Sequence, residues 1–281
     1  MSAGFEGRTL VIATMHRKEE VIAPLAEKYL GVTCQVPLHF DSDALGTFSG
    51  EVERTQPPLE TARQKCLEAL ALTGETLGIA SEGSFGPHPS AWFAPANEEV
   101  LLLLDTAREL EVVVRKISLE TNFAGAKVHT QEELQAFARQ VLFPSHGLIL
   151  SAAAGSTEGL QKGLTSWPQL LAAFRSLVAS HGSAYVQTDM RALYNPTRMQ
   201  VIKQAAQLLM ERCTTCCPAC HTPGFGVTQA IRGLPCRLCG LHTQSVRSLE
   251  SACQRCSFTR QDDFPGGAQT EDPTYCEHCN P

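Results

Sequence analysis

The first two hundred residues alternate between short apolar runs and longer stretches whose apolar positions recur at helical spacing. Thr9–Thr14 (TLVIAT) reads as a buried strand, and Val32–Leu38 as a second. Between them, Arg17–Leu30 carries Val21, Ile22, Leu25, Ala26 and Tyr29 on one helical face, closed by Gly31. A polar loop punctuated by Gly and Pro then runs to Pro58, followed by an amphipathic helix over Leu59–Leu72 that stops near Gly74. Leu77–Ala80 reads as a third strand that enters a loop, Ser81–Pro89. Glu98–Leu104 and Glu111–Ser118 predict an antiparallel hairpin. Thr130–Phe143 opens on a Thr-x-x-Glu capping box and predicts a helix. Leu148–Ser151 and Ser183–Gln187 predict strands, and Trp167–Ser180 a helix. Asn195–Arg212 predicts a last helix, with Pro196 in the first turn where its missing N–H costs little. Strands alternating with helices predict an α/β domain over residues 5–212, built on a mixed sheet with flanking helices.

Helical periodicity stops at Cys213, and ten of the twelve cysteines follow. Eight form four pairs of one spacing: Cys217/Cys220, Cys236/Cys239, Cys253/Cys256 and Cys276/Cys279. Two residues between thiolates let a tight turn aim both sulfurs at one tetrahedral ion, and a second such turn completes the shell. Residues 213–281 are therefore expected to be a small zinc-ribbon module holding two structural zinc ions. With four thiolates and no open position, each site suits structure rather than catalysis. Sequential pairing, first two turns and last two, is the simplest expectation. A cross-braced scheme, first with third and second with fourth, is the alternative. Cys213 and Cys216 overlap the first pair and read as surplus thiols at a helix end; Cys34 and Cys66 read as small core residues.

Composition narrows the partners. The formal net charge is −6, and the cysteine-rich part has five arginines, no lysine and six carboxylates, which speaks against a polyanion surface. A protein partner at the zinc module is favoured over nucleic acid. No run approaches the roughly 20 apolar residues that span a bilayer, and the first residues lack a signal-peptide pattern. A cytosolic protein without a membrane partner is the expectation, which also disfavours disulfides.

Chemistry is then expected in the first domain, at strand and helix ends. Thr14, His16 and Lys18 follow the first strand, where a helix N-terminus with a lysine suits an anion; a solvated cap is the plainer reading. Glu60 and Lys65 lie on the second helix and Glu82 in the loop after the third strand. Two carboxylates from adjacent elements suit Mg²⁺, though Glu60 also suits an ordinary first-turn acid. Arg191 and Arg198 are candidates for a carboxylate or phosphate, or for pairing with Asp189 and other acids. His146 is a candidate base or base-contacting group, or a cap.

The segments ATMHRKE (13–19), ASEGSFGPHP (80–89) and TDMRALYNPTRM (188–199), with the terminal cysteine pairs, resemble an uncharacterised bacterial family carrying a domain of unknown function. More distantly, the order of elements is similar to inosine triphosphate pyrophosphatases and Maf-like proteins. In that resemblance Thr14, His16 and Lys18 stand in the first motif, Glu60, Ala62 and Lys65 in the second, and Glu82, Gly83 and Ser84 in the third. Ser145-His146 stands where that family has a base-binding Ser-His-Arg, with glycine following here. The resemblance implies an inosine triphosphate pyrophosphatase-like fold, with Lys18 and Lys65 on phosphates and Glu60 and Glu82 on Mg²⁺. The leading expectation is thus binding of a small phosphorylated ligand, extending to Mg-dependent cleavage of a nucleoside triphosphate. The alternatives are a non-catalytic zinc-ribbon adaptor and a nucleic-acid-binding ribbon.

Overall fold

The computed structural model describes residues 4–38, 40, 56–89 and 91–281; most of the polar loop expected before Pro58 lies outside them. The chain divides into two compact units, Phe5–Met210 and Glu211–Pro281.

The larger unit begins with β1 (Thr9–Ala13), α1 (Glu19–Leu30), β2 (Thr33–Gln35), α2 (Pro58–Thr73), β3 (Leu77–Pro87), β4 (Pro95–Asp105) and β5 (Leu110–Ser118). Their order in the sheet is β2-β1-β3-β4-β5. β1 runs parallel to β2 and β3, and β3, β4 and β5 are successively antiparallel, so the sheet is mixed. The parallel connections need crossovers, which α1 and α2 supply. Ala62, Cys66, Ala69 and Leu70 of α2 pack on Val11, Ala13, Ala80 and Leu102, a core of small residues that lets the helix lie close to the sheet. β3 corrects one expectation. It does not become a loop after Ala80 but stays paired as far as Pro87↔Pro95, because β4 begins early enough to supply a ladder partner. Glu82, Gly83 and Ser84 are therefore strand residues.

A second correction concerns the number of sheets. β6 (Gly125–Val128), β7 (Leu148–Ser151), β8 (Gln161–Leu164) and β9 (Ala184–Thr188) do not extend the first sheet. They form their own, in the order β6-β9-β7-β8 with every neighbour antiparallel. α3 (Gln131–Gln140) and α4 (Trp167–His181) bury Leu134, Ala138, Leu170, Phe174 and Leu177 against it. The capping box holds α3: the Thr130 hydroxyl accepts from the Glu133 amide, and the Glu133 carboxylate accepts from the His129 amide. α5 (Pro196–Thr214) follows β9.

The smaller unit is a polar antiparallel sheet, β10 (Gly226–Arg232), β11 (Val246–Ala252) and β12 (Thr259–Asp263), in sequence order. Its buried apolar cluster is small: Cys217, Phe225 and Cys253, with Phe258 against them. No described helix is long and apolar enough to cross a membrane.

Candidate functional site

Three of the four cysteine pairs sit on turns of the same construction, while in the fourth the Cys276 amide donates to the Pro273 carbonyl. The amide of the first cysteine donates to a carbonyl five residues on: Cys217 to Thr222, Cys236 to Leu241, Cys253 to Phe258. Amides of Leu238 and Arg255 point at the Cys236 and Cys253 sulfurs, 3.4 Å away in both cases, where they stabilise thiolate charge. The residue after the second cysteine takes the left-handed conformation: His221 at φ 59°, Gly240 at 75° and Ser257 at 56°. Only the second turn uses the glycine that this geometry favours.

The turns assemble into two sets of four sulfurs, Cys217/Cys220/Cys253/Cys256 and Cys236/Cys239/Cys276/Cys279, with the ligand atoms of each set within 4.8 Å of one another. The arrangement is cross-braced, which corrects the sequential pairing. One strand separates each turn from the next, and antiparallel strands reverse direction each time. Gly226↔Ala252 and Ala252↔Thr259 place the first and third turns at one end of the sheet; Arg232↔Val246 and Ser248↔Asp263 send the second and fourth to the other. A seven-residue strand is roughly 23 Å long, so consecutive turns cannot share an ion.

The sulfurs fit a tetrahedral metal. An ion holding sulfur at about 2.3 Å, the zinc–thiolate distance, sets neighbouring sulfurs about 3.8 Å apart. The spacings are 3.6 Å for Cys217–Cys256 and Cys220–Cys253, 3.8 Å for Cys236–Cys279 and 3.7 Å for Cys239–Cys276. Cys213 and Cys216 belong to neither set. Cys213 is buried, and that burial pushes its thiol up, away from the thiolate a metal needs.

The second site lies just beyond the C-terminal end of β1, against the middle of β3. Arg17, at φ 59°, makes a strained turn between β1 and α1 that carries Lys18 inward. Lys18 is buried, and its ammonium donates to the Ser81 carbonyl at 3.1 Å and the Ser81 hydroxyl at 2.9 Å. Lys65, on the inner face of α2, reaches Glu82 on β3, and both are buried. On the opposite face of β3, Arg198 of α5 holds Glu99 of β4 through Nε–Oε1 at 2.7 Å and donates to the Met190 carbonyl. Gly83 permits this: a Cβ there would lie 2.3 Å from the Arg198 guanidinium.

Lys18, Lys65 and Arg198 therefore face two carboxylates, Glu82 and Glu99, leaving one buried positive charge over. Lys18 carries the imbalance. Burial first, then the Arg198 guanidinium and Lys65, pull its pKa down from 10.5 to about 8, against the attraction of Glu82 and Glu99. Among the described residues Lys18 has no carboxylate partner. Both side-chain polar atoms of Asn97 and the Glu19 Oε2 are buried without a hydrogen-bond partner among the described residues, places that water completes.

The other sequence candidates separate. Glu60 is half exposed and paired with Arg63, which also holds Glu111. It lies five residues from Lys65, about 140° away around α2, so the structure gathers Lys18, Lys65 and Glu82 without Glu60. Thr14 is buried and accepts from the His16 amide at 3.3 Å, beside Lys18 in sequence. Ser84 lines a separate shallow groove of about 150 Å³ with Phe85, Pro87, Pro89 and Ile117. Arg191 grips Asp189 with two nitrogens and lies over the Tyr194 ring. His146 is a cap. Ser145 donates its hydroxyl to Leu142, so it accepts from His146 Nδ1, leaving Nε2 to accept from the Thr197 hydroxyl and amide at the start of α5. Burial holds this imidazole below its usual pKa, which suits that neutral form. Ser81, Asn97 and Glu99 went unread in the sequence. Glu99 opens an apolar run, and only its partner Arg198, 99 residues away, marks it as a site residue.

The model of a domain of unknown function (DUF6671) matches residues 65–281. The chain belongs to this family. No curated protein matches it. The part matched by the family model takes in both thiolate sets, Lys65, Glu82, Glu99 and Arg198, while Lys18 precedes it.

Proposed function

We propose that the protein binds a small phosphorylated ligand at the buried Lys18 cluster and that its thiolate sets hold two structural zinc ions. The observation that carries the ligand reading is the buried ammonium of Lys18, which has no carboxylate partner among the described residues. An anion there would cancel the surplus charge and restore the stability that burying an uncompensated cation costs. The position suits it, past the carboxyl end of β1, where its parallel pairing with β3 stops, and next to the start of α1. The order β1-α1-β2-α2-β3 followed by a hairpin also accords with the pyrophosphatase resemblance, in which Lys18 and Lys65 meet phosphates.

Binding, rather than hydrolysis, is the reading the geometry supports best. A magnesium site needs a second carboxylate beside Glu82. Glu60 is turned to Arg63, and no group of three or more acidic or imidazole side chains gathers among the described residues. The residues present do not compose that site, so no hydrolytic step is assigned to them.

A panel of nucleotides and sugar phosphates, measured by thermal shift and calorimetry with and without Mg²⁺, tests this. Stabilisation by at least one phosphorylated compound is expected, and its loss in Lys18→Met. Failure of every compound to bind would remove the reading, and pyrophosphate release abolished by Glu82→Gln would replace it with the enzymatic one.

The zinc reading rests on the sulfur spacings, and hard oxygen-seeking cations do not suit thiolates. Leu238, Leu241 and Tyr275 stand exposed on and beside the turns of the second set, a surface better suited to a protein than to nucleic acid. With five arginines against six carboxylates from Cys213 onward, no salt-dependent binding to duplex or single-stranded nucleic acid is expected. A gel-shift titration with a binding constant that falls steeply with salt would reverse this.

A further inference from the structure

β5 ends the five-stranded sheet, with β4 on one side and, among the described residues, no strand on the other. For Val112 to Lys116 no backbone hydrogen bond occurs among the described residues other than those of the ladder to β4. A strand of nine residues with an open row of donors and acceptors is a template for another strand. Of the usual ways to blunt an edge, β5, LEVVVRKIS, lacks proline, a bulge and brevity and carries only charge, at Glu111, Arg115 and Lys116.

We propose that β5 pairs antiparallel with β5 of a second copy of this chain, about a two-fold axis passing through Val113. The charges select both the occupant and the register. A two-fold axis perpendicular to the sheet keeps each side chain on its own face, so the axis must pass through a residue position. At Val113, Glu111 of each copy opposes Arg115 of the other, Val112 opposes Val114, and Leu110 opposes Lys116. At Val114, Arg115 opposes Val113 and Lys116 opposes Val112, and no charges match. At Arg115 the arginine meets itself. At Val112 two Glu109–Arg115 matches come with two Arg108–Lys116 clashes. Only the axis at Val113 opposes unlike charges of the strand without a like-charge pair.

The same face prepares the contact. Glu111, Val113 and Arg115 lie across from Leu104, Leu102 and Val100 of β4. There Arg63 already holds Glu111 at 2.7 Å, and Glu98 holds Arg115 at 3.1 Å. Pairing at Val113 would join these two ion pairs into one chain of alternating charge, Arg63–Glu111 continuing into Arg115–Glu98 of the second copy, and again in reverse. Charge networks of this kind outlast isolated surface pairs. Ile117 and Leu119, exposed just beyond Arg115, would reach the second copy's turn between β4 and β5.

One strand pair is a small interface, so association at tens of micromolar is expected rather than an obligate dimer, by roughly the standards of low-area contacts. Sedimentation velocity of the full chain over about 1–200 µM is the measurement, with melting curves confirming that each variant is folded. The mass should rise toward that of a dimer. Arg115→Glu, which sets carboxylates opposite each other twice, should weaken association about ten-fold or more, and adding Glu111→Arg should restore it. Val113→Cys should form an interchain disulfide between the two introduced cysteines, identified by peptide mass, and this arm stands even if the charge swap does not fold. A monomer throughout the range, a dimer indifferent to Arg115→Glu, or a Val113→Cys protein that cross-links elsewhere would overturn the proposal.

Discussion

Cys217→Ser combined with Cys253→Ser is expected to cost the protein one metal ion, whereas Cys217→Ser combined with Cys236→Ser costs both. Cys217 and Cys253 belong to one thiolate set, so breaking the second ligand adds nothing to a site already lost; Cys217 and Cys236 belong to different sets. Sequential pairing predicts the reverse. Metal per chain, counted by plasma mass spectrometry after exhaustive dialysis, reads the difference directly and identifies the ion as well. The expected value is two for the native chain, with zinc as the metal.

The same architecture makes the loss of both ions the largest perturbation the protein can suffer. The smaller unit has a buried apolar cluster of only Cys217, Phe225 and Cys253 with Phe258 beside them, and β12 is exposed along its whole length. Apolar burial on that scale does not offset the chain entropy of some seventy ordered residues. Structural zinc contributes on the order of 10–16 kcal/mol per ion, so folding of this unit is expected to depend on the metal. Chelation should abolish the dispersion of its amide signals while those of Phe5–Met210 persist. Retained dispersion in the metal-free unit would refute the structural role.

What could be read in the sequence divides along one physical line: features set by local spacing were legible, and features set by partners far along the chain were not. The four metal-binding turns follow from two-residue spacings. Their pairing follows from β10, β11 and β12, whose polar segments, TRQDD for one, carry no alternation to announce a strand. The continuation of β3 through Glu82-Gly83-Ser84 has the composition of a loop and becomes a strand because β4 lies beside it. β6 (GAKV) and β8 (QKGL) are too short and polar to signal a second sheet. Lys18, Lys65 and Glu82 come close together, as their element order suggested. Glu60 was misleading, because a first-turn acid looks the same whether it faces a metal or the neighbouring Arg63.

Glu82→Gln and Lys18→Met are expected to shift stability in opposite directions, although both remove one charge from the same cluster. Glu82 neutralises Lys65, and both are buried. Losing the carboxylate strands the ammonium, which costs about 3–5 kcal/mol. Lys18 is the cation without a carboxylate partner among the described residues. Removing it forfeits two hydrogen bonds to Ser81 but relieves the surplus charge, so ligand-free Lys18→Met should be more stable near pH 7 by about 1–2 kcal/mol. The pH dependence fixes the sign independently. With the folded pKa at about 8, below the ordinary 10.5, the unfolded chain binds more protons between those values. The native protein should therefore gain stability as pH rises from about 8 to 10.5, by roughly 3 kcal/mol from this group if nothing else titrates, and Lys18→Met should lose that slope. Urea unfolding at pH 7, 9 and 10.5 measures both. A bound phosphate reverses the balance, since it favours the charged lysine; saturating ligand should then flatten the slope in the native protein and leave the variant unmoved. A destabilised Lys18→Met protein at pH 7 without ligand, or a slope that survives the substitution, would mean that Lys18 is balanced by some other group and that the cluster has no surplus charge to offer an anion.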